Sequence, residues 1–272
     1  MYSGTTFRIK SGRVMGVHQR IDRVARRQID AFLPDGIEFP KSSQILHFEG
    51  LNGPDGIKRK SPAKDEPWHY INPQNPDDTA LVDMILEHIE NMAHAIRENN
   101  NERVAFEAAW MAHAITDGLT PAHHYPLEEK LEELRGGKSL QSRITTKDKL
   151  ILPGITRADQ LKNNWEYWGV KGVMTTHLGF ELGIAAAISG SRLNTHKLTQ
   201  EDLDRLKTTG FKIEFMNVLK TVDAMQMYQE YSKKGWTANL AREARRELIP
   251  LIIRTVSLGW YQAVVRSDAA NS

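Results

Sequence analysis

The chain contains no cysteine among its 272 residues. That excludes a disulfide framework, and it excludes thiolate as nucleophile or metal ligand. An excess of one charge is also lacking: 36 Lys and Arg stand against 34 Asp and Glu, a formal net charge of +2. Attachment to nucleic acid by charge alone calls for a clear cationic excess, so this balance argues against it. Long hydrophobic runs are missing too. The stretch from Met1 to Arg13 has no apolar segment of the secretory kind, and the most apolar stretch, Leu182 to Ser189, is too short to span a bilayer. On these grounds a cytoplasmic location is one expectation, and removal of a leader ahead of this numbering or export by another route are the alternatives. What the chain does have is an ordinary globular composition, 40% hydrophobic and 26% charged, length for a sizeable core, and ten histidines.

Periodicity is helical almost throughout, which predicts an all-α, multi-helix single-domain bundle. Val17, Ile21, Val24, Ala25, Ile29 and Phe32 fall on one face of a first helix. Residues 34 to 76, punctuated by Pro and Gly, read as mainly irregular. Asp77 and Asp78 sit where carboxylates satisfy free N–H groups ahead of a helix from Thr79 to Asn99. A turn at Asn99–Asn101 leads to a helix over Glu102–Asp117, stopped by Gly118 and Pro121. A short helix at Leu127–Leu134 precedes an irregular insertion near 130–172, in which Leu150–Leu152 suits a strand. Further helices are expected at Met174–Ile188, from Thr199 with its Thr199/Asp202 capping pattern, at Phe211–Tyr231, and at Thr237–Val265 with a kink at Pro250.

The informative segment runs from His113 to His124. His113 and Asp117 lie four apart, on one helix face shared with Phe106, Ala109 and Trp110, which points inward. A buried carboxylate without a partner costs several kcal/mol or more, and a divalent cation removes that cost. Pro121 turns the chain and brings His123 back to the same place. His177 and Glu181 repeat the spacing on a second apolar stripe. Composition alone predicts about one His with an acid four positions on; the sequence has five, at His18, His94, His113, His124 and His177. Spacing does not separate ligands from exposed helix pairs worth a few tenths of a kcal/mol. His94/Glu98 and His124/Glu128 read as such pairs.

The string His113-x-x-x-Asp117-x-x-x-Pro121-x-His123, followed by His177-x-x-x-Glu181, resembles the zinc-dependent bacterial phospholipase C family, which shares its fold with fungal single-strand zinc nucleases. Upstream, Gly16-Val17-His18 is similar to the family's early histidine. Asp55, then Trp68-His69-Tyr70-Ile71, is similar to its aspartate and aromatic-flanked histidine. These motifs span residues 18 to 181; beyond Glu181 only helical character matches. The resemblance implies a helical protein, of a usually secreted family, holding two or three zinc ions. His123, His177 and Glu181 would hold one. Asp55, His69, His113 and Asp117 would hold a second, with Asp117 bridging toward a third that His18 serves. In the family a mature N-terminal Trp completes that third site. Here no Trp precedes Trp68, and the Met1 amine is the candidate in its place.

Several of these residues carry a second reading. Asp55 in Gly53-Pro54-Asp55-Gly56 suits a turn, and Asp65 rivals it. His124 rivals His123. His18 and Asp22 also suit a surface pair. His47, His88 and His196 have no support beyond being histidines. The implied chemistry is hydrolysis of a phosphodiester by a metal-activated water, with Asp55 as ligand or general base and no covalent intermediate. Trp68 and Tyr70 are substrate-binding candidates, and Lys58-Arg59-Lys60 reads as a basic loop. A phospholipid headgroup, with transient membrane-surface contact, is the expected substrate; single-stranded nucleic acid is the alternative. A third reading is a helical scaffold with a degenerate metal site that binds a partner through its C-terminal helices, where Ile249, Ile252, Ile253, Val256, Trp260 and Val264 form a broad apolar face of a kind more often core than interface. No other feature points to a protein partner.

Overall fold

The structure is a computed structural model and describes residues 16–65, 67–124, 127–191, 193 and 197–269. Among these residues there are helices and turns and no strand. In chain order the helices are α1 (Val17–Ile29), α2 (Ser42–Ile45), α3 (Pro54–Lys60), α4 (Ala80–Arg97), α5 (Asn101–Gly118), α6 (Leu127–Leu134), α7 (Thr146–Leu150) and α8 (Arg157–Trp168). They continue with α9 (Val173–Ile188), α10 (Gln200–Thr209), α11 (Phe211–Ala224), α12 (Met227–Lys234), α13 (Ala238–Glu243) and α14 (Ile249–Ala269). The all-α bundle expected from periodicity is present.

The bundle centres on α5, flanked by α4, α14 and α1. Asn99, in the left-handed region, turns the chain between α4 and α5. Asn100 then caps α5 by accepting a hydrogen bond from the Arg103 N–H at 3.0 Å. From Val104 onward α5 is buried on nearly every side, so its polar residues His113, Thr116 and Asp117 are carried into the interior. Isoleucines 249, 252 and 253, with Val256, Trp260 and Val264, are core residues of the main cluster, the commoner role expected for such a face. Trp260 donates its Nε1–H to the Ala108 carbonyl at 2.9 Å, tying α14 to α5. The stretch Ala238–Asp268 is long and apolar enough by composition to cross a membrane, but 78% of its most apolar window is buried inside the bundle.

Several local expectations change. Pro250 occupies the second position of α14, and the preceding turn, Ala244–Leu248, is a π-helix. That wider turn accommodates a ring that lacks an N–H and collides with the carbonyl four residues back. Gln226, also left-handed, splits the expected Phe211–Tyr231 helix into α11 and α12. Asp78 does not cap α4; it accepts the Asn72 N–H at 2.7 Å, and the cap position is Thr79. Residues 34–76 hold α2 and α3, so Asp55 sits in the first turn of a helix, behind Pro54, rather than in an open turn. Lys58 to Lys60 end that helix and form no loop. Gly53 permits this entry, since a Cβ there would lie 2.7 Å from the Phe48 carbonyl oxygen.

The region 130–172 is not irregular. It folds as α6, α7 and α8 around a small core of its own, formed by Leu131, Leu134, Leu140, Leu152 and Tyr167. Paired caps start two of its helices: Thr145 with Asp148 on α7, and Thr156 with Asp159 on α8. Leu150–Leu152 belongs to the end of α7 and the chain beyond it, not to a strand. Lys149 Nζ fastens this lobe to α3, donating to the carbonyls of Lys58 at 2.6 Å and Ser61 at 2.5 Å.

Helix α9 closes the arrangement. Gly179 and Gly183 let it lie directly against Tyr231 and Trp236, and Trp236 Nε1 donates to the Gly179 carbonyl at 3.1 Å. A Cβ at Gly183 would overlap the Trp236 indole. Gly183→Ala is therefore expected to destabilise the fold by about 1–3 kcal/mol, seen as a lowered Tm in thermal unfolding; an unchanged Tm would show that the contact is not tight.

Candidate metal centre

Five histidines and three carboxylates converge at one end of the bundle. His18 comes from the start of α1, Asp55 from the start of α3, His113 and Asp117 from the last turns of α5, and His177 and Glu181 from α9. His69 lies on an extended loop and His123 in the single turn Pro121–His123. Loop and turn are tied together: Ile71 N–H donates to the His123 carbonyl at 3.3 Å, and His123 Nδ1 donates to the His69 carbonyl at 2.8 Å. All five imidazoles are buried, as are Asp117 and Glu181, while the Asp55 side chain is 37% exposed.

The Asp117 carboxylate stands at the centre. Its Oδ1 lies 3.2 Å from His18 Nε2 and 3.8 Å from His123 Nε2. Its Oδ2 lies 2.8 Å from His69 Nδ1 and 3.2 Å from His113 Nε2. Asp55 Oδ1 is 3.9 Å from His113 Nε2. On the far side, Glu181 Oε1 is 3.0 Å from both His123 Nε2 and His177 Nε2. Three ligand groups result, each with donor atoms close enough to share one cation: His18, His113 and Asp117; Asp55, His69 and His113; His123, His177 and Glu181.

The donors fit metal ions. Ligands held tetrahedrally about 2.1 Å from a cation stand about 3.4 Å from one another, in the range of the separations above. Both nitrogens of His18, Nε2 of His69, Nε2 of His113 and Nδ1 of His177 are buried without a hydrogen-bond partner. Orphaned buried nitrogens of this kind ask for an explanation, and a bound cation supplies one.

The electrostatics favour ligands ready to bind. Burial, aided by the Lys58 ammonium, pulls the His69 pKa down to about 4 against the pull of Asp117, so the ring is neutral at pH 7. Burial likewise lowers His123. Burial opposes ionisation of Asp55, but His113 and Lys58 outweigh it and hold the carboxyl at about 2. His113 is the exception. Burial disfavours its charged form, yet the Glu49 and Asp117 carboxylates raise its pKa well above the usual value. That position attracts positive charge, whether a proton or a metal.

Glu49 escaped the sequence reading. It is buried, and its Oε1 lies 3.3 Å from His113 Nδ1, behind the ring as seen from Asp117. A carboxylate on the second nitrogen of a ligand histidine fixes its tautomer and orientation. Asp22 is buried beside this pair rather than on the surface; burial and Glu49 push its carboxyl well above the usual range. No spacing rule links Glu49, 64 residues upstream, to His113.

Of the rival residues, His124 is bonded to the Gly118 carbonyl at 2.7 Å and stands apart from the ligand groups. His88 pairs with buried Glu107, and His47 and His94 are exposed. Met1, His196 and the side chains of Asp65, Arg59 and Lys60 lie outside the described residues. Comparison with family models, with curated proteins and with solved structures returned no match.

The groups open on a cavity of about 450 Å³ between the bundle and the lobe of α6–α8. Asp55, His69, Asp117, His123, His177 and Glu181 form its floor. Trp68, Tyr70, Tyr167 and Trp168 are among its walls, with Tyr70 stacked on His123 at 5.3 Å. Both substrate-binding candidates thus line the cavity.

Elemental analysis of purified protein is expected to find two or three bound divalent ions. Asp117→Ala should remove more than one of them and Glu181→Ala one. Glu49→Gln should retain the count at saturation but weaken affinity by about 10–100-fold. A wild-type content of one ion or none would overturn the assignment.

Proposed function

We propose that the protein is a zinc-dependent phosphoric ester hydrolase that cleaves phospholipids in the manner of phospholipase C. The observation that carries this reading is the convergence of three cysteine-free ligand groups around one bridging carboxylate on the floor of a cavity. Imidazole and carboxylate suit zinc, and several divalent ions so close together suit displacement at phosphorus. The resemblance in the sequence supports the same reading.

Ions held by these residues would polarise the phosphate and bring the pKa of water toward neutrality. The chain's own groups do the rest. Asp55 is the ligand-group carboxylate most open to the cavity, and it is already ionised, so it can orient an attacking water and accept its proton. The water oxygen bonds to phosphorus as the bond from phosphorus to the diacylglycerol oxygen breaks, and a proton is delivered to that leaving oxygen. The lobe of α6–α8 roofs the site.

The lipid reading gains from the cavity's surroundings. Of the large hydrophobic residues exposed among the described residues, all but Ile213 fall between Ile144 and Leu182, on the lobe and α9. They are mostly aliphatic: Ile155 is 99% and Val170 85% exposed. The lobe and the chain after it, residues 127–172, carry nine basic against seven acidic side chains, close to balance. An apolar rim suits a lipid surface. Exposed Trp165 and Trp168 favour the second reading, a single-strand nuclease, because bases stack on aromatic rings.

A paired assay with phospholipid vesicles and single-stranded DNA, with and without chelator, separates these readings. Phospholipid hydrolysis lost on chelation is expected; activity on DNA alone would transfer the proposal to the nuclease. Asp117→Ala and Glu181→Ala should abolish turnover, whereas Asp55→Asn should reduce kcat by about a hundred- to ten-thousand-fold. Full activity in these variants would refute the reading. In a sedimentation assay, Ile155→Ser with Val170→Ser should weaken binding to vesicles while hydrolysis of a short-chain soluble phospholipid persists.

A further inference from the structure

Helix α9 departs from the pattern of a surface helix. Such a helix turns polar side chains outward, yet the exposed residues of α9, Leu178, Leu182 and Ala186, are all apolar. Leu178 is 41% and Leu182 60% exposed. With Met174 these residues stand four apart, so they form one stripe about 18 Å long. The stripe runs beside the ligand-group residues of the same helix, because Leu178 follows His177 and Leu182 follows Glu181.

The stripe begins inside the cavity and ends outside it. Met174 and Leu178 are among the lining residues, and Leu182 and Ala186 continue beyond them. Met174 also packs against the small core of the lobe, so stripe and lobe meet at the cavity. On the lobe, Leu150 and Trp168 likewise line the cavity and reach the surface, being 49% and 39% exposed. The indole is fixed there, donating its Nε1–H to the Leu150 carbonyl at 2.7 Å. An exposed apolar strip that leads out of a polar site marks a place for an apolar part of the ligand.

The start of the stripe says which part. A cavity of about 450 Å³ is the size of one small-molecule site, so a long chain attached to a bound phosphate has to leave it. The stripe starts at the group of His123, His177 and Glu181, whereas Asp55 belongs to the group on the other side of Asp117. In an in-line displacement the attacking and leaving oxygens lie on opposite sides of phosphorus. With water directed from Asp55, the leaving oxygen faces α9, and the chain it bears is led onto the stripe.

We infer that Met174, Leu178 and Leu182 form a track for one aliphatic chain of the leaving diacylglycerol, and that this track sets a chain-length preference even for single, dispersed substrate molecules. Methylene groups and leucine side chains leave water together there. This inference rests on the hydrolase reading above but concerns which leaving group is chosen.

The test measures kcat/KM for dibutyroyl, dipentanoyl and dihexanoyl phosphatidylcholine, each below its critical micelle concentration, so that no lipid surface is present. A rise of about two- to four-fold per added methylene is expected. In Leu178→Ser and Leu182→Ser the rise should flatten, and Leu182→Met should retain it. Ile213→Ser, at an exposed aliphatic residue outside the cavity lining, should leave the rise as it is in the parent protein. Should Leu178→Ser fail to fold, the more exposed Leu182 still carries the comparison. Independently of turnover, decylphosphonate, whose phosphorus–carbon bond is not an ester, should raise the Tm of the metal-loaded protein more than methylphosphonate does, and Leu182→Ser should remove the difference. Rates independent of chain length, or a rise unmoved in both Ser variants, would overturn the inference. So would a dimer in sedimentation that Leu182→Ser dissociates, which would give the stripe to a second copy of the chain. Loss of all ester hydrolysis with the Tm difference intact would instead tell against the hydrolase reading and leave the track standing.

Discussion

A carboxylate buried among imidazoles governs this structure. Asp117 is withdrawn from water inside a helix that is itself the core of the bundle. Left alone, a charge in that position costs several kcal/mol. Burial opposes its ionisation, yet its pKa lies well below the ordinary carboxylate range, and the surrounding histidines, His123, His113 and His18, are among the groups that lower it. Both oxygens therefore remain charged and each faces a different set of nitrogens. Everything near it is placed to meet that charge: α1 delivers His18, the 67–72 loop His69, and the Pro121 turn His123.

Holding so many polar groups in register requires a rigid surround. The Gly179 and Gly183 face seats α9 against Tyr231 and Trp236, while the opposite face presents His177 and Glu181 to His123. The carbonyl of His69 accepts from the very imidazole that faces Glu181, so one ligand loop positions the next. Glu49 and Asp22 back up His113 from the opposite side. Such outer partners set ring orientation, and their removal is felt in metal affinity rather than in the fold alone.

Much of this was legible in the sequence, because it depends on local spacing. Residues four apart share a helix face, so His113 with Asp117 and His177 with Glu181 could be read as pairs, and both proved buried and convergent. Legibility failed where neighbours along the chain carry no signal. Glu49 is an isolated acid beside a glycine. Asp55 resembles a turn residue because Pro and Gly flank it, although Pro at the first turn also starts helices. The lobe looked irregular because α8 buries little besides Tyr167 and exposes Leu161 and Trp165, which erases the amphipathic pattern.

The sequence by itself determined the type of donor: without cysteine, a polar cluster of this composition is limited to nitrogen and oxygen donors. It also determined the helical class, since apolar positions recur at the helical period through most of the chain. Tertiary structure alone decided the rest. It brought His18 and Asp117, 99 positions apart, to 3.2 Å. It placed Trp168 and Leu178 in one cavity with the ligand groups, and it turned an apparent insertion into the roof of that cavity. The physical reason is that contacts between distant segments are fixed by packing of whole helices, which leaves no periodic trace at the residues that finally meet.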